Sequence, residues 1–130
     1  MKANPRVFLL DDEDLVVSML GRALRKEGFE VQGETDPEGA LAKIQAFAPD
    51  VVLLDIYLPD GDGIEAIASI RERCPEARMV VMTGYSDNFS YEGAISIGAS
   101  DFVIKPVRLE ELGRVLSRGP RQLVDERFER

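Results

Sequence analysis

Four places in this chain carry side chains suited to phosphoryl chemistry. They are the acidic pair Asp11-Asp12, then Asp55, Thr83, and Lys105 standing before Pro106. Each ends or follows an apolar run. If those runs are neighbouring strands, about 4.8 Å apart, three carboxylates, a hydroxyl and an ammonium meet at one sheet edge. Carboxylates packed together repel one another unless a cation sits among them. Three Asp and one Lys sum to −2, which one divalent ion cancels. Oxygen donors without a nearby His or Cys favour Mg²⁺ over zinc. A carboxylate beside such an ion can be a nucleophile toward phosphorus. Lys105 would supply positive charge to the transferring group, and Thr83 a hydroxyl.

The elements that must position these residues are legible in the apolar pattern. Val7-Phe8-Leu9-Leu10, Val51-Val52-Leu53-Leu54, Met79-Val80-Val81-Met82 and Phe102-Val103-Ile104 are continuous apolar runs. Such runs predict parallel strands covered on both faces. Phe29-Glu30-Val31 is shorter and alternates, as an edge strand does. Helical spacing links them. Val16, Met19, Leu20, Ala23 and Leu24 form one apolar stripe, and the stretch Leu15 to Leu24 reads as core. Ala40, Leu41, Ile44, Phe47 and Ala48 form a second, with Asp36 as N-cap and Pro37 at the first helical position. Ile64, Ile67, Ala68 and Ile70 predict a third helix. Tyr91, Ala94, Ile95 and Gly98 predict a fourth, of modest propensity. Leu109, Leu112, Val115 and Leu116 predict a fifth.

The result is α/β: a single doubly wound (βα)5 domain with a five-stranded parallel sheet, in which right-handed crossovers give the order 2-1-3-4-5. Ligands of such sheets bind beyond the carboxyl ends of the strands, at the switch point between strands 1 and 3. Residues 1–118 are expected to form this domain, and 119–130 a charged tail or the start of a linker.

Composition narrows the function. The 130 residues suit one domain. The formal charge is −8, which argues against direct nucleic-acid binding by this domain. Residues 108 to 130 depart from that balance, with six Arg against five acids. No apolar run reaches the roughly 18 residues of a membrane span, and the N-terminus does not read as a secretory signal. Cys74 is the one cysteine; it is expected on a loop, half-buried or exposed and unreactive, and it fits a cytoplasmic location. Histidine is absent, so a phosphohistidine donor must be another molecule.

The chain resembles the receiver domain of bacterial two-component response regulators. The likeness rests on Phe8-Leu9-Leu10-Asp11-Asp12-Glu13, on Leu53-Leu54-Asp55-Ile56-Tyr57-Leu58-Pro59-Asp60-Gly61-Asp62-Gly63, on Val81-Met82-Thr83-Gly84, and on Gly98 through Pro106. It runs from about Arg6 to Leu116. The resemblance implies a flavodoxin-like fold and a switch that catalyses only its own phosphorylation and dephosphorylation. Asp55 would be the phosphoacceptor. Asp12, Asp55 and the backbone carbonyl of Tyr57 would hold Mg²⁺ directly, and Asp11 through water. Lys105 would pair with the acyl phosphate, and the bond to Pro106 would be cis. Thr83 and Phe102 would be the switch pair. The donor would be a sensor histidine kinase, a histidine phosphotransfer protein or a small phosphodonor. A downstream effector domain or protein would read the fourth helix, fifth strand and fifth helix, the same surface that would serve a phosphorylation-dependent homodimer. Tyr57 and Tyr85 would overhang the acyl phosphate and hinder water.

Singly, each motif is ordinary. Asp pairs often sit in solvated turns, Thr83 alone reads as structural, Lys105-Pro106 alone is a turn, and Phe102 alone is core. Three other functions fit parts of the pattern. Asp12-Glu13-Asp14-Leu15-Val16 superficially fits a haloacid-dehalogenase-type Mg²⁺ phosphatase, but no second acidic pair follows late in the chain. An FMN binder would need a Ser/Thr/Gly-rich loop after the first strand, which is lacking. A phosphorylation-independent receiver would not need the full residue set.

Overall fold

The computed structural model describes residues 5–55, 57–58, 61–84 and 98–117; the side chains of 57, 58, 61–64 and 117 lie outside that description. Five strands form one parallel sheet: β1 (Arg6–Leu10), β2 (Glu30–Glu34), β3 (Val51–Asp55), β4 (Arg78–Thr83) and β5 (Asp101–Ile104). Their order is β2-β1-β3-β4-β5, the predicted 2-1-3-4-5. Four helices are described: α1 (Asp14–Lys26), α2 (Pro37–Phe47), α3 (Gly63–Arg73) and α4 (Leu109–Ser117). The helix expected fourth in the sequence, with Tyr85 before it, falls in 85–97, outside the described residues. A two-residue antiparallel ribbon, Tyr57–Leu58 with Gly61–Asp62, follows β3.

The two faces of the sheet bury separate clusters. Phe8, Leu10, Val52, Leu54, Met79 and Val81 pack with Ala40 and Ile44 of α2 and Ile67 and Ile70 of α3. Val7, Leu9, Leu53, Val80, Met82 and Val103 pack with Leu20 and Leu24 of α1 and Leu112, Val115 and Leu116 of α4. All five residues of β3 are buried. Covering both faces is why these strands read as unbroken apolar runs. Each fully buried Val or Leu contributes about 1.5–3 kcal/mol.

Two corrections concern faces. In α1 the buried positions are Leu20, Gly21 and Leu24, while Leu15 is 71% and Met19 60% exposed. The inward stripe therefore runs through Val17, Leu20, Gly21 and Leu24 at i, i+3, i+4, i+7. Gly21 carries no apolar signal, so Met19 was drawn into the predicted stripe. Leu109, at the first position of α4, is likewise half exposed. Asp36 does cap α2: its Oδ2 accepts from the Gly39 N–H at 3.1 Å, with Pro37 next. Cys74 is half-buried, and burial raises its thiol pKa.

The edge of the sheet at the strand N-termini is organised by two arginines. Arg6, which opens β1, donates to the Phe47 carbonyl at 2.9 Å and lies over the Phe47 ring, 5.7 Å from its centroid. Arg78, which opens β4, donates to the carbonyls of Val115 at 2.8 Å and Leu116 at 3.2 Å. Each satisfies carbonyls that a helix C-terminus leaves without intrahelical partners. Asp101, at the start of β5, is fully buried and its charge favours the Arg78 cation, against the burial that lowers the Arg78 pKa. Helix ends thus settle at this edge, leaving the opposite edge for the loops that carry chemistry.

Candidate functional site

At the carboxyl ends of β1 and β3 the chain leaves the sheet through Asp11 and Asp55. Both strands run in register, Leu10 beside Leu54, so the next residues emerge side by side. The Asp11 N–H donates to the Glu34 carbonyl at 3.3 Å, which ties it to the end of β2. Asp11 Oδ1 accepts from the Glu13 N–H at 2.9 Å and so shapes the entry to α1. Asp11 and Asp55 are buried, and Asp12 is exposed. One carboxylate oxygen from each of Asp11, Asp12 and Asp55 lies within 4.8 Å of the others.

The ammonium arrives from the far side of the sheet. β4 and β5 pair through Thr83 and Ile104, and the Lys105 N–H donates to the Thr83 carbonyl at 2.6 Å. The Lys105-Pro106 peptide bond is cis. Lys105 Nζ stands 2.9 Å from Asp55 Oδ2 and 3.0 Å from Asp11 Oδ2. The first contact is a hydrogen bond. The second is an ion pair without hydrogen-bond alignment, and Asp11 Oδ2 stays buried without a hydrogen-bond partner. Burial works to lower the Lys105 pKa, but Asp55 and Asp11 outweigh it and push it above its ordinary value. Lys105 is therefore a fixed cation at neutral pH.

The carboxylate set fits a hard divalent ion. Three Asp against one Lys leave −2, all donors are oxygens, and one buried acceptor lacks a donor. No described His or Cys competes. The ribbon after Asp55 places the backbone of Tyr57 two residues from the cluster. Its side chain, and Tyr85, lie outside the description.

Thr83 ends β4 and is 3% exposed. Alternation along β4 puts it on the side of Val81, and Phe102 packs into the same cluster as Val81. Thr83 and Phe102 thus share one face, two residues apart in register. One member of the site carries no strand-end apolar run to announce it. Glu13 Oε1 lies 3.7 Å from Lys105 Nζ. In the sequence it stands only as the last residue of the Phe8 to Glu13 motif, with no role attached to it.

A doubly wound parallel sheet with this acidic cluster and lysine at its carboxyl edge defines a flavodoxin-like signalling domain. The chain belongs to the response regulator receiver domain family, whose model matches residues 7–117. It is 34% identical over 110 residues to the photosynthetic apparatus regulatory protein RegA of Rhodobacter capsulatus, covering 85% of this chain and 60% of that one. It is 37% identical over 118 residues to the regulatory protein AtoC of Escherichia coli K12, covering 91% of this chain and 26% of AtoC. The chain therefore spans 60% and 26% of these two curated relatives. Among solved structures it superposes on the chemotaxis protein CheY4 of Vibrio cholerae with a TM-score of 0.81 and 26% identity, over 89% of this chain and 98% of that one. Among the described residues no helix is long and apolar enough to cross a membrane.

Proposed function

We propose that the chain is a phosphorylation-driven switch in which Asp55 accepts the phosphoryl group. The observation that carries this reading is the 2.9 Å contact of Lys105 Nζ with Asp55 Oδ2 beside Asp11 and Asp12. Lys105 orients Asp55 through Oδ2, so that the carboxylate is set for attack on phosphorus in line with the leaving group. Asp12, Asp55 and the Tyr57 carbonyl are the groups that would hold Mg²⁺ directly, with Asp11 acting through water. A divalent ion held there supplies charge neutralisation for the carboxylates and the incoming phosphoryl oxygens. Lys105 then pairs with the new phosphoryl charge, and the Thr83 hydroxyl donates to one of its oxygens. Movement of Thr83 frees space on the face it shares with Phe102, which biases a two-state surface around β5 and α4.

A histidine kinase or phosphotransfer protein is the proposed donor, because this chain has no His of its own. An effector domain or protein is the proposed reader, and a second copy of the domain can use the same surface. A dehalogenase-type nucleophile at Asp12 is disfavoured: the lysine engages Asp55 and Asp11, while Asp12 is exposed. Intact mass after incubation with acetyl phosphate and Mg²⁺ tests the reading. One added phosphoryl, absent from Asp55→Asn, is expected. An unmodified wild type with acetyl phosphate and with any kinase rejects it.

A further inference from the structure

Glu13 has no part in the chemistry above, yet it touches the site. It is the residue before α1, with extended backbone (φ −95°, ψ 111°), and its side chain makes no cap for the helix. Asp11 holds its N–H, so its position is set by the site itself. Its carboxylate reaches Lys105 at 3.7 Å and is 63% exposed. Lys105 is thus contacted by Asp11 and Asp55 from within and by Glu13 from the solvent side.

Charge decides what that contact does. Asp11, Asp12, Asp55 and Glu13 carry −4 and Lys105 +1, so these five side chains sum to −3. A bound divalent ion leaves −1, and Glu13 carries its charge on the exposed rim of the set. A free phosphodonor must enter against this field on its own. A phosphoryl group borne by a protein is delivered by the docking of two surfaces and depends less on the local field.

We infer that Glu13 is an electrostatic gate that slows phosphorylation by small dianionic phosphodonors. It also positions Lys105, drawing the ammonium toward solvent and away from the incoming phosphoryl group. The inference rests on Asp55 being the phosphoacceptor. The reaction gated is simple transfer. An Asp55 carboxylate oxygen bonds to phosphorus, the bond from phosphorus to the acetyl oxygen breaks, and acetate leaves with the electron pair.

The test compares wild type, Glu13→Gln and Glu13→Asp at saturating Mg²⁺, by intact mass over time. With acetyl phosphate at low ionic strength, Glu13→Gln is expected to react up to about tenfold faster, the low end of electrostatic steering effects. At 0.5 M salt the advantage should fall below about twofold, because screening shortens the reach of the field. Phosphoramidate, which carries less negative charge, should gain less than acetyl phosphate. Glu13→Asp keeps the charge and should behave as wild type. Equal rates for wild type and Glu13→Gln, or an acceleration indifferent to salt and donor charge, overturn the gate. If wild type labels at Asp55 and Glu13→Gln is no faster, only the gate falls. If wild type takes no phosphoryl at Asp55, both readings fall.

Discussion

Lys105 Nζ and Asp55 Oδ2 lie 2.9 Å apart across 50 residues of sequence, joining the ends of β5 and β3. β4 lies between those two strands, so the lysine reaches over its end to make the contact. The same ammonium lies 3.0 Å from Asp11, and so spans the carboxyl edge from the first strand to the fifth.

Lys105→Met should therefore lower stability in chelator. Breaking a fully buried ion pair costs about 3–5 kcal/mol. With the Lys105 side chain 24% exposed, solvent takes part of that, and about 1–3 kcal/mol is expected. Added Mg²⁺ should shrink the loss, since a divalent ion replaces the missing charge. Urea melts with and without Mg²⁺ measure both, and a loss that grows with Mg²⁺ contradicts the arrangement.

Mg²⁺ itself should raise the melting temperature relative to chelator. A ligand at a hundred times its Kd adds about 2.7 kcal/mol. Asp12→Asn should remove most of this gain and, in chelator, melt no lower than wild type, because one of three clustered charges is gone. Calorimetry of the two proteins decides the matter; a full Mg²⁺ shift in Asp12→Asn would count against Asp12 as a ligand.

Gly33→Ala should destabilise. A Cβ on Gly33 would stand 2.4 Å from Val17 Cγ1. Val17 is β-branched and on a helix, so its χ1 has little freedom to move aside. Overpacking of this kind costs about 1–3 kcal/mol. Adding Val17→Ala should restore a good part of it. Additive losses in the double variant would show that the contact is not the cause.

Glu34 gives a titration marker next to the site. Its carboxylate accepts from Lys43 Nζ at 2.6 Å and from the Thr35 N–H, which holds its pKa below the ordinary 4.5 against some burial. A depressed folded pKa means the contribution is complete above the ordinary value and fades as pH falls through the folded one. Lys43→Ala should move the Glu34 carboxyl resonance midpoint upward in an NMR titration. An unmoved midpoint would place the cause elsewhere.

Arg78→Met should loosen the end of α4. Val115 and Leu116 carbonyls lose their donor, and buried Asp101 loses the adjacent cation. Amide exchange in the last turn of α4 should speed at least tenfold, corresponding to about 1.4 kcal/mol. The first turn, anchored by the Leu112 N–H to Arg108 carbonyl bond, should respond less.

The strands were readable because burial on both faces leaves only apolar residues, and β3 is the extreme case. β2 was read short. The sequence suggested Phe29 to Val31, but pairing carries it to Glu34 through Gln32 and Gly33, which look nothing like a strand and are held by β1. The acids and the lysine were legible because each closes an apolar run. Glu13 was not, since its contact with Lys105 depends on how the chain turns into α1. Nor were Arg6 and Arg78, because capping a distant helix end leaves no local pattern.

Asp11, Asp55 and Lys105 are useful only when β1, β3 and β5 stand in register, and β4 must already be in place for Lys105 to be held by the Thr83 carbonyl. Long-range parallel pairings of this kind form slowly, because loop-closure entropy must be met before the contacts reward it. Under the proposed function, the ability to take a phosphoryl group is therefore a certificate of completed folding. A nascent or misassembled chain has the acids but not the geometry.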